Sequence, residues 1–89
     1  MAYHLDFSIQ AEKDIDFHKK AGDKKVTNKL LILLTELIEH PYTYTGAGKP
    51  EQLKYNLAGF WSRRINREHR LVYKVVSDKV LVHSAKGHY

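Results

Sequence analysis

The stretch Phe60-Trp61-Ser62-Arg63-Arg64-Ile65-Asn66-Arg67-Glu68-His69-Arg70-Leu71-Val72-Tyr73-Lys74-Val75-Val76 decides the fold. Trp61 to Asn66 and His69 to Val76 alternate apolar with polar residues and are rich in β-branched and aromatic side chains, so they predict two strands around a tight turn near Arg67-Glu68. Ser77-Asp78-Lys79 predicts a further turn, and Val80 to Ala85 another strand. Upstream, Leu53 to Leu57 is expected as a short strand before an Ala58-Gly59 turn. The outcome is a four-strand antiparallel meander. Its side-chain parity has a consequence for charge. Trp61 and Ile65 share one face, whereas Ser62, Arg64 and Asn66 share the other. Leu71, Tyr73 and Val75 form the more apolar face of the next strand, which puts Arg70 opposite them with Val72 and Lys74. A guanidinium is not buried unpaired. Arg64 and Arg70 are therefore expected on a sheet face left open to solvent or to a ligand.

Working outward, Tyr3 to Ile9 alternates with period two and predicts an N-terminal strand. Ser8 is an N-cap candidate for a helix from about Ile9 to Lys20, with Ala11, Ile15 and either Phe17 or His18 turned inward. Acidic residues lie early in it and Lys19 and Lys20 late, as the helix dipole favours, and Gly22 can end it. Asp23 is the next N-cap. From Lys24 to His40, the recurrence of Val26, Leu30, Leu33, Leu34, Leu37 and Ile38 predicts an amphipathic helix, which Pro41 stops. Strand, helical hairpin and meander make a two-layer α+β domain over residues 1–89.

Composition narrows the function classes. Eighty-nine residues suffice for one domain. No run approaches the ~20 apolar residues of a membrane span, and the first residues lack a signal-peptide layout. There are no cysteines, which removes disulfides and thiolate metal sites. The net charge of +5 is unevenly placed. Residues 1–48 hold six Lys/Arg against seven Asp/Glu, residues 49–74 seven against two, and residues 75–89 two against one. A basic window of this kind favours a polyanionic partner, most simply nucleic acid.

Glu51 is the one carboxylate between Glu39 and Glu68, and it lies among Lys49, Lys54 and the arginines. In a phosphate-attracting patch a carboxylate repels the ligand unless it has a task there; accepting a proton from a ribose 2′-OH is one, and a surface ion pair with Lys49 or Lys54 is the plainer alternative. His88 is one of six histidines, but it follows the last strand, and an imidazole with its ordinary pKa of ~6.5 suits a proton donor near neutrality. Tyr89 adds a plane on which a base can stack. Base, acid and guanidinium together meet the needs of RNA cleavage by internal transfer. No P-loop, GxGxxG or GxSxG motif is present, and the histidines lack HxxxH or HxH spacing, so neither cofactor nor metal is expected.

Gly48-Lys49-Pro50-Glu51-x-Leu53-Lys54, Asn56-Leu57-x-Gly59-Phe60-Trp61-Ser62-Arg63-Arg64-Ile65, Glu68-His69-Arg70-Leu71-Val72-Tyr73 and the terminal His88-Tyr89 closely resemble the YoeB (Txe) toxins of the RelE/ParE superfamily. The resemblance implies a microbial-ribonuclease-like fold and a cytoplasmic bacterial toxin of a type II toxin–antitoxin pair. Such a toxin cuts messenger RNA in the ribosomal A site and is held by a YefM-type antitoxin; it reaches operator DNA through that complex. It further implies Glu51 as general base, His88 as general acid, Arg70 as the arginine on the phosphoryl group, Arg64 as a second active-site arginine, and Tyr89 as a substrate-positioning residue. Lys49 and Lys54 match lysines near the RNA backbone. Arg63, Arg67 and Lys86 are expected with them as RNA-binding cations. The pattern departs at Lys86-Gly87, where the family usually has an arginine and an aromatic residue. Monomer and homodimer both stay open. So do a ParE-like toxin that inhibits DNA gyrase by binding, and an RNA- or ribosome-binding module without catalysis.

Overall fold

The computed structural model describes residues 3–41 and 48–87. In chain order the elements are β1 (His4–Phe7), α1 (Ile9–Ala21), α2 (Lys24–Glu39), β2 (Glu51–Gln52), a 3-10 turn (Tyr55–Leu57), β3 (Trp61–Arg64), β4 (Arg70–Val76) and β5 (Lys79–Ser84). They build one five-stranded sheet in the order β1-β5-β4-β3-β2. β2 to β5 form the antiparallel meander, and β1 closes the sheet by pairing parallel to β5, Leu5 opposite Val80 and Phe7 opposite Val82. This is the α+β architecture that the sequence predicts.

The helix boundaries follow from their caps. Ser8 Oγ accepts from Ala11 N–H and starts α1, while Gly22 ends it in the left-handed region at φ 73°. Asp23 accepts from Lys25 and Val26 N–H to start α2. α2 stops at Glu39, with His40 as its C-cap, because the residue before a proline is pushed out of helical geometry. Val26, Leu30, Leu33 and Leu37 of α2 are buried with Leu71, Tyr73, Val80 and Val82 of the sheet in one core. Side-chain transfer of this kind, at about 25 cal/mol per Å² of apolar surface, is the main force holding helix to sheet. On α1 the inward positions are Ala11, Asp14 and His18, with Ile15 partly buried, whereas Phe17 is 45% exposed.

One predicted strand is displaced. Leu53 to Leu57 does not form a strand; the pairing with β3 is confined to Glu51–Gln52. After Leu53, whose N–H donates to Phe60 O, the chain turns through Lys54–Leu57, with Tyr55 at φ 59° and 90% exposed. The spacing of Leu53, Tyr55 and Leu57 imitates strand periodicity, but the hydrogen bonds Leu57 N to Lys54 O and Ala58 N to Tyr55 O belong to a 3-10 turn.

Candidate active site

The site is built on the edge of the sheet where β2, β3 and β4 lie side by side. Gly48 sets the entry. Its carbonyl accepts from Arg64 N–H at 2.6 Å. Its φ is +79°, and a Cβ there would stand 2.8 Å from Arg64 O. Only glycine lets the chain run this close to β3. Lys49 follows, exposed at φ 51°, and Pro50 is buried. The next residue, Glu51, pairs with Ser62, while one step along the sheet Arg64 pairs with Arg70.

The pairing places Glu51, Ser62, Arg64 and Arg70 on the same, open side of the sheet. There Arg70 Nη1 donates to Glu51 Oε1 at 2.7 Å and to Ser62 Oγ at 3.1 Å. The guanidinium is largely enclosed, its side chain 17% accessible, while the Glu51 carboxylate is 56% accessible. Ser62 is fully buried and acts as the fixed point beneath Arg70. Arg64 is exposed beside them. A carboxylate and a guanidinium joined by a charge-assisted bond are both held in one geometry before any ligand arrives.

The C-terminal segment comes to the same end of β4. Arg70 N–H donates to Gly87 O at 2.8 Å, and Gly87 N–H donates to His69 Nδ1 at 3.0 Å. Gly87 is the last described residue; His88 and Tyr89, expected as acid and positioning residue, lie outside the described residues. His69 is 16% accessible. Its burial, with the adjacent His18, holds the imidazole below its ordinary pKa of 6.5; Lys86 adds to this, and Glu68 and Asp14 oppose it.

The remaining cations are distributed. Lys49, Lys54 and Arg67 are exposed. Lys86 is exposed too, its Nζ 3.9 Å from the centre of the Phe17 ring on α1. Arg63 requires a correction. It lies on the helix-facing side of β3 with 0% exposure, where its Nε donates to Tyr73 Oη at 3.1 Å and its Nη2 to His40 O at 2.7 Å. Its Nη1 forms an ion pair with Glu36 at 2.8 Å, outside aligned hydrogen-bond geometry. Tyr73 in turn donates to Pro41 O, and burial raises its pKa above the ordinary 10.0. Arg63 is thus an internal anchor between β3, β4 and the end of α2, and no RNA can reach it in this fold. Parity with Trp61 and Ile65 is the signal that separates it from Arg64. Ser62 and His69 fall inside the stretches that carry the family resemblance, but no local spacing or charge singles them out as site residues. Among the described residues no cluster of three or more His, Cys, Asp or Glu side chains is placed to hold a metal ion, and no helix is long and apolar enough to cross a membrane.

Residues 7–89 match the family model of the YoeB-like toxin of bacterial type II toxin-antitoxin systems. The YoeB toxin of Escherichia coli (strain K12) is 48% identical over 67 residues, covering 75% of this chain and 77% of that protein. The solved YoeB dimer of Staphylococcus aureus superposes with a TM-score of 0.85 at 42% identity, covering 100% of both chains. The YoeB-YefM complex of Staphylococcus aureus superposes with a TM-score of 0.83 at 40% identity, again over 100% of both chains. A chain with this fold, this edge of the sheet and this degree of likeness belongs to the YoeB-like toxins of bacterial type II toxin-antitoxin systems.

Proposed function

We propose that this toxin is an endoribonuclease that cuts messenger RNA in the ribosomal A site. The observation that carries the reading is the Arg70 guanidinium held between Glu51 and Ser62 at 2.7 and 3.1 Å, on the open face of a basic sheet edge. In this reading an incoming phosphodiester takes over the Arg70 guanidinium and releases Glu51 as a base. Glu51 removes the ribose 2′-OH proton, and the 2′-oxygen attacks the adjacent phosphorus. The bond to the 5′-oxygen breaks as His88 gives that oxygen its proton. The products are a 2′,3′-cyclic phosphate and a 5′-hydroxyl end. Arg70, with Arg64, stabilises the charge that grows on the phosphoryl oxygens, and Tyr89 stacks on a base. Lys49, Lys54 and Lys86 attract the RNA backbone as point charges, and Arg67 through its planar guanidinium.

The same reading extends to partners. A YefM-type antitoxin is proposed as the inhibitor, on the likeness to the Staphylococcus aureus YoeB-YefM complex, and a basic patch suits an acidic segment that folds on binding. The complex would carry the toxin to operator DNA in the bacterial cytoplasm, and a homodimer is proposed from the likeness to the Staphylococcus aureus YoeB dimer. The test is primer extension on messages bound to ribosomes, with wild type, Glu51→Gln, Arg70→Ala and His88→Ala. Cuts in phase with codons are expected from the wild type. Removing one such group typically lowers kcat by about 10²-fold or more. Ribosome binding with uncut message in every case would leave a non-catalytic module, and gyrase-linked DNA breaks would favour the ParE-like alternative.

A further inference from the structure

Three polar side chains that the cleavage scheme does not use converge on the backbone of the C-terminal segment. From α1, Asp14 Oδ2 accepts from Ala85 N–H at 2.9 Å, and His18 Nε2 meets Ala85 O at 2.7 Å. Both side chains are buried, at 4% and 3% exposure. From the β3–β4 loop, His69 Nδ1 accepts from Gly87 N–H at 3.0 Å. Gln10 donates to the other Asp14 oxygen at 2.8 Å. Asn66 Oδ1 accepts from Glu68 and His69 N–H, which fixes the loop that carries His69. The His18 and His69 rings meet edge to face with centres 4.6 Å apart.

A carbonyl only accepts and an amide N–H only donates. His18 therefore carries its proton on Nε2, and His69 keeps Nδ1 bare. With Arg70 N–H bound to Gly87 O at 2.8 Å, the N–H and C=O of both Ala85 and Gly87 are engaged. The segment that follows β5 is thus fastened through Gly87. A buried aspartate and histidine on an otherwise apolar helix face are costly unless bonded, and here their bonds go to the tail.

We propose that Asp14, His18 and His69 form a clasp that fixes the backbone of residues 85–87 beside Arg70, and that this hold serves RNA cleavage at the Glu51–Arg70 pair. The inference rests on the ribonuclease reading above and adds three positioning residues to it. The clasp depends on a proton. His69 accepts from Gly87 only while Nδ1 is unprotonated, and protonation would set a donor against a donor. The groups facing His69 are His18 and Asp14 from α1, Glu68 from its own loop with Oε2 3.9 Å from Nε2, and Lys86 from the tail. Acidification opens the clasp at this bond.

The test uses the full chain in two measurements: amide hydrogen exchange at Gly87, and steady-state cleavage of ribosome-bound message. In His69→Leu, Gly87 exchange is expected to accelerate about tenfold or more, since the bond is removed without replacement. Cleavage kcat should fall roughly ten- to hundredfold with KM nearly unchanged, as misplaced catalytic groups cause. His69→Asn puts an amide oxygen in the place of Nδ1 and should restore both, with a shallower acid limb in kcat because it cannot take up the proton. Unaltered Gly87 exchange in His69→Leu, or faster exchange with unaltered kcat, overturns the proposal. Should His69→Leu not fold, His18→Met and His18→Gln are compared, of which only the second keeps a donor at the Nε2 position; equal exchange and equal kcat in that pair overturn it as well. A wild type that leaves message uncut on ribosomes removes the ribonuclease reading and the catalytic half of this one, and Gly87 exchange then decides the clasp alone.

Discussion

A methyl group on Gly48 would lie 2.8 Å from Arg64 O and 2.9 Å from Leu33 Cδ2, at a backbone φ of +79°. The Leu33 side chain can yield, but the Arg64 carbonyl belongs to β3 and cannot. Gly48→Ala is therefore expected to cost about 2–4 kcal/mol, from left-handed strain and from overpacking together. It should also shift Glu51 relative to Arg70. Chemical denaturation measures the first effect, and cleavage by the folded protein the second. His69 gives a second prediction at this scale. Burial lowers its pKa below 6.5 in the fold, so between that value and the lowered one the unfolded chain binds more protons than the native state. Stability from this group is then fully present above pH 6.5 and is lost as pH falls through the lowered pKa. Melting temperatures taken downward from neutral pH should decline more steeply in wild type than in His69→Asn; parallel curves would remove His69 as the cause.

Elements decide which arginine does what. Arg63 and Arg64 are neighbours on β3, yet one is fully buried against α2 and the other exposed, because successive side chains in a strand point to opposite faces. Arg63→Ala would remove the buried charged donor of Tyr73 Oη and His40 O and should cost about 3 kcal/mol, as loss of charge-assisted bonds together with the cavity does. Arg67→Ala, in the exposed β3–β4 loop, should change stability by less than about 0.5 kcal/mol. Urea unfolding of the two variants side by side checks this, and equal costs would refute the burial argument. The same alternation makes much of the site legible in the sequence. Trp61 and Ile65 set the parity of β3, and Leu71, Tyr73 and Val75 that of β4, which puts Arg64 and Arg70 on the open side, and the caps Ser8, Gly22 and Asp23 mark the helix ends. What stays hidden has two physical sources. Leu53, Tyr55 and Leu57 carry strand spacing but occupy a 3-10 turn, since Glu51–Gln52 alone pair with β3. Asp14 and His18 lie at helical spacing with Ala11 on the buried face of α1. Of these two, His18 alone is an inward candidate from the sequence, because their partner is the backbone of Ala85, 71 and 67 residues away.

At the scale of the whole molecule the topology brings remote charge into one place. β1 and β5 come from opposite ends of the chain and pair in parallel, which lays α1 beside the segment that follows β5. The meander meanwhile puts residues 49–70 along one edge. No local pattern announces the parallel pairing, whereas the excess of seven Lys/Arg over two Asp/Glu in residues 49–74 is plain in the sequence. A surface charged in this way should bind ribosomal RNA or message with a strong salt dependence. Removing one phosphate-binding cation lowers the slope of log K against log[salt] by about 0.7–0.9. Arg64→Ala, Lys49→Ala and Lys54→Ala should therefore each weaken ribosome association and flatten that slope by about this amount. The charge on Arg63 counts equally in the net total of +5 but is sealed under the sheet, so a folded Arg63→Met protein should keep the wild-type slope. Sedimentation with ribosomes across a salt series separates the two cases. A slope that falls equally in Arg63→Met and Arg64→Ala would mean that net charge, and not the placement of Arg64 on the open face, governs the association.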